Sequence, residues 1–297
     1  MDRAQKILYE IDFQNPATKG LEIGPLCRPI VSKKNGNIFY VDYADKAFLQ
    51  KRYQNDPDVN ILEIVETDGI WGANSLADAA REFSPVDYVI ASHVIEHVPD
   101  LTSWLQEINQ VLVPGGKVSL VIPDKRYTFD FARSLTSLAD VLGAYFCRYR
   151  IPMPREVIDH VLSHQHIHVI DAWKGIYPAK RINTVDDLNG VALLSNDILK
   201  NNSYHDVHCW VFTPISFCKL MLELSRLELC NFLCSNFFNT QQNELEFFIH
   251  LEKSDNKKLI IASWEKIIAL LEQSLNLSLI SRGIFYLRRV IRKVFKF

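Results

Sequence analysis

The first 125 residues repeat one pattern: a short β-rich run, a polar or glycine break, then a helix-like stretch. The β-rich runs are residues 20–24 (GLEIG), 37–42 (NIFYVD), 60–66 (NILEIVE), 86–91 (VDYVIA) and 117–122 (KVSLVI). Between them, residues 44–53 have helical composition and 75–83 form a short helix candidate. Residues 101–112 set Leu101, Trp104, Leu105, Ile108, Val111 and Leu112 at helical spacing. Pro114-Gly115-Gly116 breaks that helix before the next strand. Apolar strands alternating with helices call for a parallel sheet covered on both faces.

In such a sheet a ligand sits beyond the carboxyl ends of the strands, near the point where strand order reverses. The strand ends are therefore the informative positions. They carry Glu22, Gly24 and Pro25 on the first, Asp42 on the second, Asp68 and Gly69 on the third, Ser92 and His93 on the fourth, and Asp124 on the fifth. Gly24 allows a ligand close to the backbone. Asp42 is placed to accept hydrogen bonds from two vicinal ribose hydroxyls. By residue type alone it is equally placed to cap the helix that follows.

The blocks LEIGP, the acid of FYVDYAD, FSPVDYVIASHVIEHVPD and LQEINQVLVPGGKVSLVIPD occur in an order and spacing that resembles class I S-adenosylmethionine-dependent methyltransferases. The last two blocks look most similar to the small-molecule group that includes the quinone-biosynthesis C-methyltransferases. The resemblance covers residues 18–125, with weaker support from 212–252. It implies a Rossmann-like, doubly wound, mostly parallel seven-stranded sheet with an antiparallel C-terminal edge hairpin. It also implies S-adenosylmethionine as cofactor. On this resemblance Glu22, Gly24 and Pro25 fall in the loop around the methionine part, and Asp42 falls on the ribose position. Asp68, with Gly69 beside it, falls near the adenine, while Ser92 and His93 lie between cofactor and acceptor. One departure stands out. The family's loop is commonly GxGxG, whereas here it reads Gly24-Pro25-Leu26-Cys27-Arg28, so Leu26 and Arg28 must leave room or the loop must take another path.

Methyl transfer from a sulfonium needs mainly alignment of nucleophile, methyl and sulfur. A base is required only where the acceptor must lose a proton. Three candidates for that role are His97, Asp124 and His208. Each has a plain structural alternative: His97 near a helix start, Asp124 as an N-cap, His208 as a packed residue. A carboxylate can orient a histidine base, and Asp206 is the sequence neighbour to pair with His208. His208 closes a histidine-rich stretch (His160, His164, His166, His168, His205). His160 and His164 share a face if helical, and His164, His166 and His168 alternate as strand residues would. No spacing matches a named metal signature, and no metal is assigned.

Residues 125–210 break the repeat and read as a substrate-side insertion within a methyltransferase domain spanning 1–252. Thr213-Pro214 then starts an amphipathic helix, followed by a hairpin of strands at 229–238 and 244–252. Residues 253–297 read as a helical tail. Its last part sets Arg282, Arg288, Arg289, Arg292, Lys293 and Lys296 against apolar residues with no acid, a pattern that suits peripheral contact with an anionic membrane.

A formal net charge of −2 gives no reason to expect nucleic-acid binding. Six scattered cysteines without a CxxC pair, a charged N-terminus and no long apolar run lead to a cytoplasmic expectation. The leading function is methyl transfer to a small-molecule or glycan acceptor, at oxygen. The alternatives are a C-methyltransferase on a quinone-like lipid and a non-catalytic cofactor-binding module. A dehydrogenase is disfavoured, because the first loop lacks GxGxxG.

Overall fold

The computed structural model describes residues 1–72 and 74–294, with side-chain surroundings described as far as residue 275. In chain order the elements are α1 (Arg3–Ile7), β1 (Lys19–Ile23), β2 (Asn37–Asp42), α2 (Lys46–Arg52), β3 (Gly69–Ile70), α3 (Leu76–Ala79), β4 (Val86–Ser92), α4 (Leu101–Val111) and β5 (Leu112–Pro123). There follow α5 (Leu138–Cys147), α6 (Pro154–Ser163), α7 (Val169–Trp173), α8 (Val185–Asn201), α9 (Pro214–Arg226), β6 (Phe232–Phe238), β7 (Glu246–Lys253) and α10 (Lys257–Val294).

The strands form one seven-stranded sheet in the order β3-β2-β1-β4-β5-β7-β6. β1 to β5 run parallel, β7 runs antiparallel to β5, and β6 returns antiparallel to β7. This is the mostly parallel, doubly wound sheet with an antiparallel edge hairpin that the sequence led us to expect. Strand order reverses at β1 and β4, so their carboxyl ends open the crevice that positions a ligand.

The central strands are buried on both faces, which is why β4 is continuously apolar from Tyr88 to Ala91 rather than alternating. α4 shows the opposite pattern. Leu101, Trp104, Leu105, Ile108 and Val111 line its buried stripe, and Asp100 caps its first turn through Ser103 N.

Several local expectations need correcting. Residues 60–66 are no strand. Asn60 accepts from Leu62 N and starts a 3-10 turn at Ile61–Glu63, and Ile64 packs with Cys27 and Leu49 away from the sheet. β3 is only Gly69–Ile70, so Asp68 lies before the strand and not at its carboxyl end. Within 125–210 the first α-helix is α5, and residues 129–137 ahead of it are not helical. The chain ahead of it is tied to 211–212 by Thr136 N to Val211 O (3.0 Å) and Lys125 N to Phe212 O (2.9 Å). His164, His166 and His168 form no strand; His164 ends α6 and His168 precedes α7, all three exposed. The polar residues 183–190 open α8 instead, through a capping box of Thr184 and Asp187.

The first part of α10 packs on α9 and β6 through Ile260, Trp264, Ile268 and Leu271. Trp264 Nε1 donates to Phe232 O at 3.0 Å. The basic side chains of 282–297, to which membrane contact was assigned, lie outside the described residues. No helix among the described residues is long and apolar enough to cross a membrane.

Candidate active site

At the switch point a cleft of about 900 Å³ opens between the β1–β2 loops, the chain after β4 and residues 202–206 at the end of the insertion. That is ample for a nucleoside-sized ligand.

Gly24 leaves β1 with φ +67°, its N–H donating to Val41 O at 2.8 Å. A Cβ there would stand 2.8 Å from Val94 Cγ2, so both the conformation and the space call for glycine. The loop then takes its own path. Pro25 is buried and opens a turn closed by Arg28 N, while Leu26 joins the cleft wall. Glu22 holds the far side of this loop by accepting from Ile30 N (2.7 Å) and Val31 N (3.2 Å). Glu22 is therefore a brace under the cleft and not part of its wall. Burial pushes its carboxyl up to about 7 against those two hydrogen bonds.

Asp42 is on the wall, 6% exposed, and accepts from Tyr43 N at 2.8 Å. Burial raises its carboxyl to about 6. The following helix is capped by Asp45, which leaves Asp42 free of that duty. Asp68 and Gly69 are not on the wall. Asp68 accepts from Tyr40 N and pairs with Lys33, and the wall position beyond β3 belongs to Trp71 and Gly72. Trp71 N donates to Asp42 O at 2.8 Å, which seats the indole beside the acid. Trp104 Nε1, also on the wall, has no hydrogen-bond partner among the described residues. An acid, aromatic faces, an unpartnered donor and a glycine-opened loop fit an adenosyl group carrying a methionine.

The other half of the cleft is densely charged. His93 sits in a left-handed conformation (φ 55°) that turns the chain sharply after β4. Its Nε2 meets Glu246 Oε2 at 2.7 Å, and Glu246 in turn accepts from Arg3 Nε at 2.7 Å. Burial works against the charged ring, yet Glu246 and Glu96 outweigh it and lift His93 to about 9. Ser92 does not reach the wall; its Oγ accepts from Arg3 Nη2 at 2.9 Å.

His97 does line the cleft, with 32% of its side chain exposed. Asp206 Oδ1 stands 2.8 Å from its Nδ1. Burial again opposes the charged ring, and Asp206 and Glu96 reverse the balance, raising its pKa. Asp206 also accepts from Tyr53 Oη (3.2 Å) and Tyr204 Oη (3.3 Å), and Tyr204 stacks on Tyr43 next to Asp42. One acid thus ties the insertion to both ends of the cleft.

His208 stands behind His97, their rings crossed at 86° with centroids 4.7 Å apart. Its Nδ1 lies 2.6 Å from Asp130 Oδ2, and Arg133 holds Asp130 from the other side at 2.9 Å. The pairing expected between His208 and Asp206 is therefore exchanged: Asp206 serves His97, and Asp130 serves His208. The exchange follows from docking of 207–212, where Cys209 N and Trp210 N both donate to Glu96 O and Trp210 Nε1 donates to Val98 O. Asp124 is withdrawn as a base. It is fully buried, bonded to Arg126 and Thr240, and caps the turn after β5, away from the cleft wall.

Asp42 and His97 share the wall with Gly24 and His93; Glu22, Pro25, Asp68, Gly69, Ser92, Asp124 and His208 stand behind or beside it. Glu96, Asp130 and Glu246 escaped the sequence reading. Glu96 lay within the VIASHVIEHVPD block, whose apolar and ionisable residues are packed together too tightly for an exposed turn. Asp130 and Glu246 had no local signal.

A family model described as "Methyltransferase domain" matches residues 10–174, more than half of the chain. The chain belongs to this methyltransferase family. With its strand order and cleft it is a class I S-adenosylmethionine-dependent methyltransferase, and S-adenosylmethionine is its cofactor. No curated protein sequence matches it. Among solved structures, a putative S-adenosylmethionine-dependent methyltransferase from Listeria monocytogenes is 11% identical with a TM-score of 0.41, over 85% of this chain and 98% of that one. Magnesium protoporphyrin IX methyltransferase from Synechocystis, with bound SAH, is 10% identical with a TM-score of 0.32, over 80% and 75%. The CurJ carbon methyltransferase is 12% identical with a TM-score of 0.36; the alignment covers 81% of this chain and spans 49% of that one.

Proposed function

We propose that this enzyme methylates a hydroxyl oxygen of a small polar acceptor, of small-molecule or glycan type. The observation that carries the reading is that one cleft holds Asp42 at one end and the Asp206-backed His97 at the other. Bound S-adenosylmethionine supplies a methyl already activated on sulfur, so the chain's own work is placement and proton handling. Asp42 accepts from the ribose hydroxyls. Gly24 lets the methionine part approach the backbone. His97, beside Asp206, faces the acceptor hydroxyl and in its neutral form takes the hydroxyl proton as the methyl passes from sulfur to oxygen.

The substrate side is assigned to residues 125–210, supported by Asn202, Ser203, Tyr204 and Asp206 at the margin of that segment on the cleft wall. Tyr53 and Tyr204 offer flat faces, while Arg52, Asp100, Ser103 and Arg150 offer polar groups, a mixture that suits a polyhydroxylated acceptor.

The test is incubation with isotope-labelled S-adenosylmethionine and a cell extract, followed by mass identification of the labelled product. A labelled O-methyl ether supports the reading. A C-methylated quinone-like product would replace it with the carbon-transfer alternative, and tight cofactor binding with no labelled product from any extract would favour a binding module. For the tail, we assign peripheral contact with anionic membrane to 282–297 on its one-signed charge. Co-sedimentation with phosphatidylserine vesicles supports it if lost on truncation after Ser281, which keeps the packed part of α10; absence of sedimentation of the full chain removes it.

A further inference from the structure

Glu96 is 0% exposed, and neither of its carboxylate oxygens has a hydrogen-bond partner among the described residues. A buried carboxylate left bare is costly unless a cation answers it. Imidazoles surround it. His93 Nδ1 stands 3.4 Å from Glu96 Oε1, an ion-pair contact that answers part of the charge without supplying a hydrogen bond. One donor atom each from Glu96, His97 and His208 lie within 4.8 Å of one another. That is within small side-chain rotations of the roughly 3.5 Å spacing that ligands about 2.0–2.2 Å from a tetrahedral ion adopt.

His208 is also oriented as a metal ligand is, its Nδ1 hydrogen-bonded to Asp130 Oδ2 at 2.6 Å, while Asp206 Oδ1 stands 2.8 Å from His97 Nδ1 as an ion-pair contact without hydrogen-bond geometry. An outer carboxylate on one ring nitrogen fixes the tautomer and presents the other nitrogen's lone pair to an ion. Asp130 is itself fixed by the buried Arg133, so His208 has little freedom to turn away. Two imidazoles and one carboxylate favour a transition metal over magnesium or calcium, which take oxygen donors. Three protein ligands leave a fourth position open, as catalytic zinc sites do. Glu96 and His208 are buried while His97 borders the cleft, so the open position faces the acceptor end.

We propose that Glu96, His97 and His208 hold a divalent transition-metal ion of the zinc class, with its open position toward the acceptor. The ion-binding site stands on the geometry alone. That a hydroxyl-bearing acceptor takes the open position rests on the methyl-transfer reading, and it deepens that reading: with the ion held, His97 serves as a ligand and the ion, in place of the free ring, polarises the acceptor hydroxyl.

The test uses the full chain, stripped with a chelator and titrated with Co²⁺. One equivalent should bind with the visible bands of a four-coordinate site, be displaced by Zn²⁺, and raise the melting temperature. His208→Ala and Glu96→Gln should each lose the bands, whereas a double variant of the exposed His166 and His168 should keep them. Should a buried substitution fail to fold, His97→Ala at the cleft edge carries the same test. No binding by the wild-type chain at tens of micromolar Co²⁺ overturns the proposal, as does a bound ion that survives His97→Ala and His208→Ala. Calorimetry with S-adenosylmethionine on the stripped chain is read separately. Cofactor binding without Co²⁺ binding sinks the metal site alone, and Co²⁺ binding without cofactor binding sinks the methyl-transfer reading alone.

Discussion

The two walls of the cleft are built by different means. On the β1–β2 side a strand ends, a glycine turns the chain, and Asp42 stands at the next strand end, with Asp45 next to it taking the helix-capping role. On the β4 side, Glu96, His97, Asp130, Asp206, His208 and Glu246 come together from segments far apart in the chain. The first wall depends on backbone geometry and is lightly charged. The second is a buried lattice of acids and histidines whose members are meaningful only in pairs. Cofactor binding should therefore follow the first wall and turnover the second.

The largest expected effect tests that division directly. His97→Ala should lower kcat by roughly a hundredfold or more, in the range of lost acid–base or electrostatic assistance. The dissociation constant for S-adenosylmethionine, measured by calorimetry, should stay within about threefold. Comparable losses in both quantities would mean that the walls are not separable.

Next in size is Asp42→Asn. Loss of charge-assisted hydrogen bonds to ribose should weaken cofactor binding by roughly 10- to 100-fold. The same change should stabilise the folded chain. Asp42's carboxyl is raised to about 6 in the fold, so the folded state holds its proton more tightly than the unfolded state does. Wild-type stability from this group thus rises as pH falls from about 6 toward the ordinary carboxylate range, and the amide, which does not titrate, removes that dependence. At pH 8 the variant should be more stable by up to about 3 kcal/mol, the gap closing near pH 4 in thermal unfolding.

A smaller effect follows from the same titration. Wild-type affinity for the cofactor should fall as pH drops through about 6, because the protonated acid loses acceptor capacity, and the profile of the Asp42→Asn variant should be flatter over that range. Gly24→Ala should cost about 1–2 kcal/mol, from its left-handed backbone and the approach to Val94, seen as a melting temperature lower by a few degrees. Ser92→Ala should be smallest, within about 0.5 kcal/mol, since its hydroxyl only accepts from the partly exposed Arg3.

The legibility of the two walls differs for the same reason. The strand-then-helix repeat and the positions of Gly24 and Asp42 could be read because each depends on residues within a few positions of itself. The third strand was misread because Ile61, Leu62 and Ile64 have β-rich composition, while the capping side chain of Asn60 and packing onto Leu49 hold that run off the sheet. His97 could be named but not its partner. Asp206 lies two residues before His208 in sequence, and that proximity suggested a pair which the docking of the segment splits between two histidines.

The sequence by itself determined the layer architecture, the switch point and the acid at the end of the second strand, because period, glycine and strand-end chemistry are local properties. Only the tertiary structure decided which acid serves which histidine, and that Glu96 is buried beside His93 with no hydrogen bond to its carboxylate among the described residues. Those outcomes follow from the docking of 207–212 onto 95–98, whose backbone hydrogen bonds fix the register before any side chain is paired.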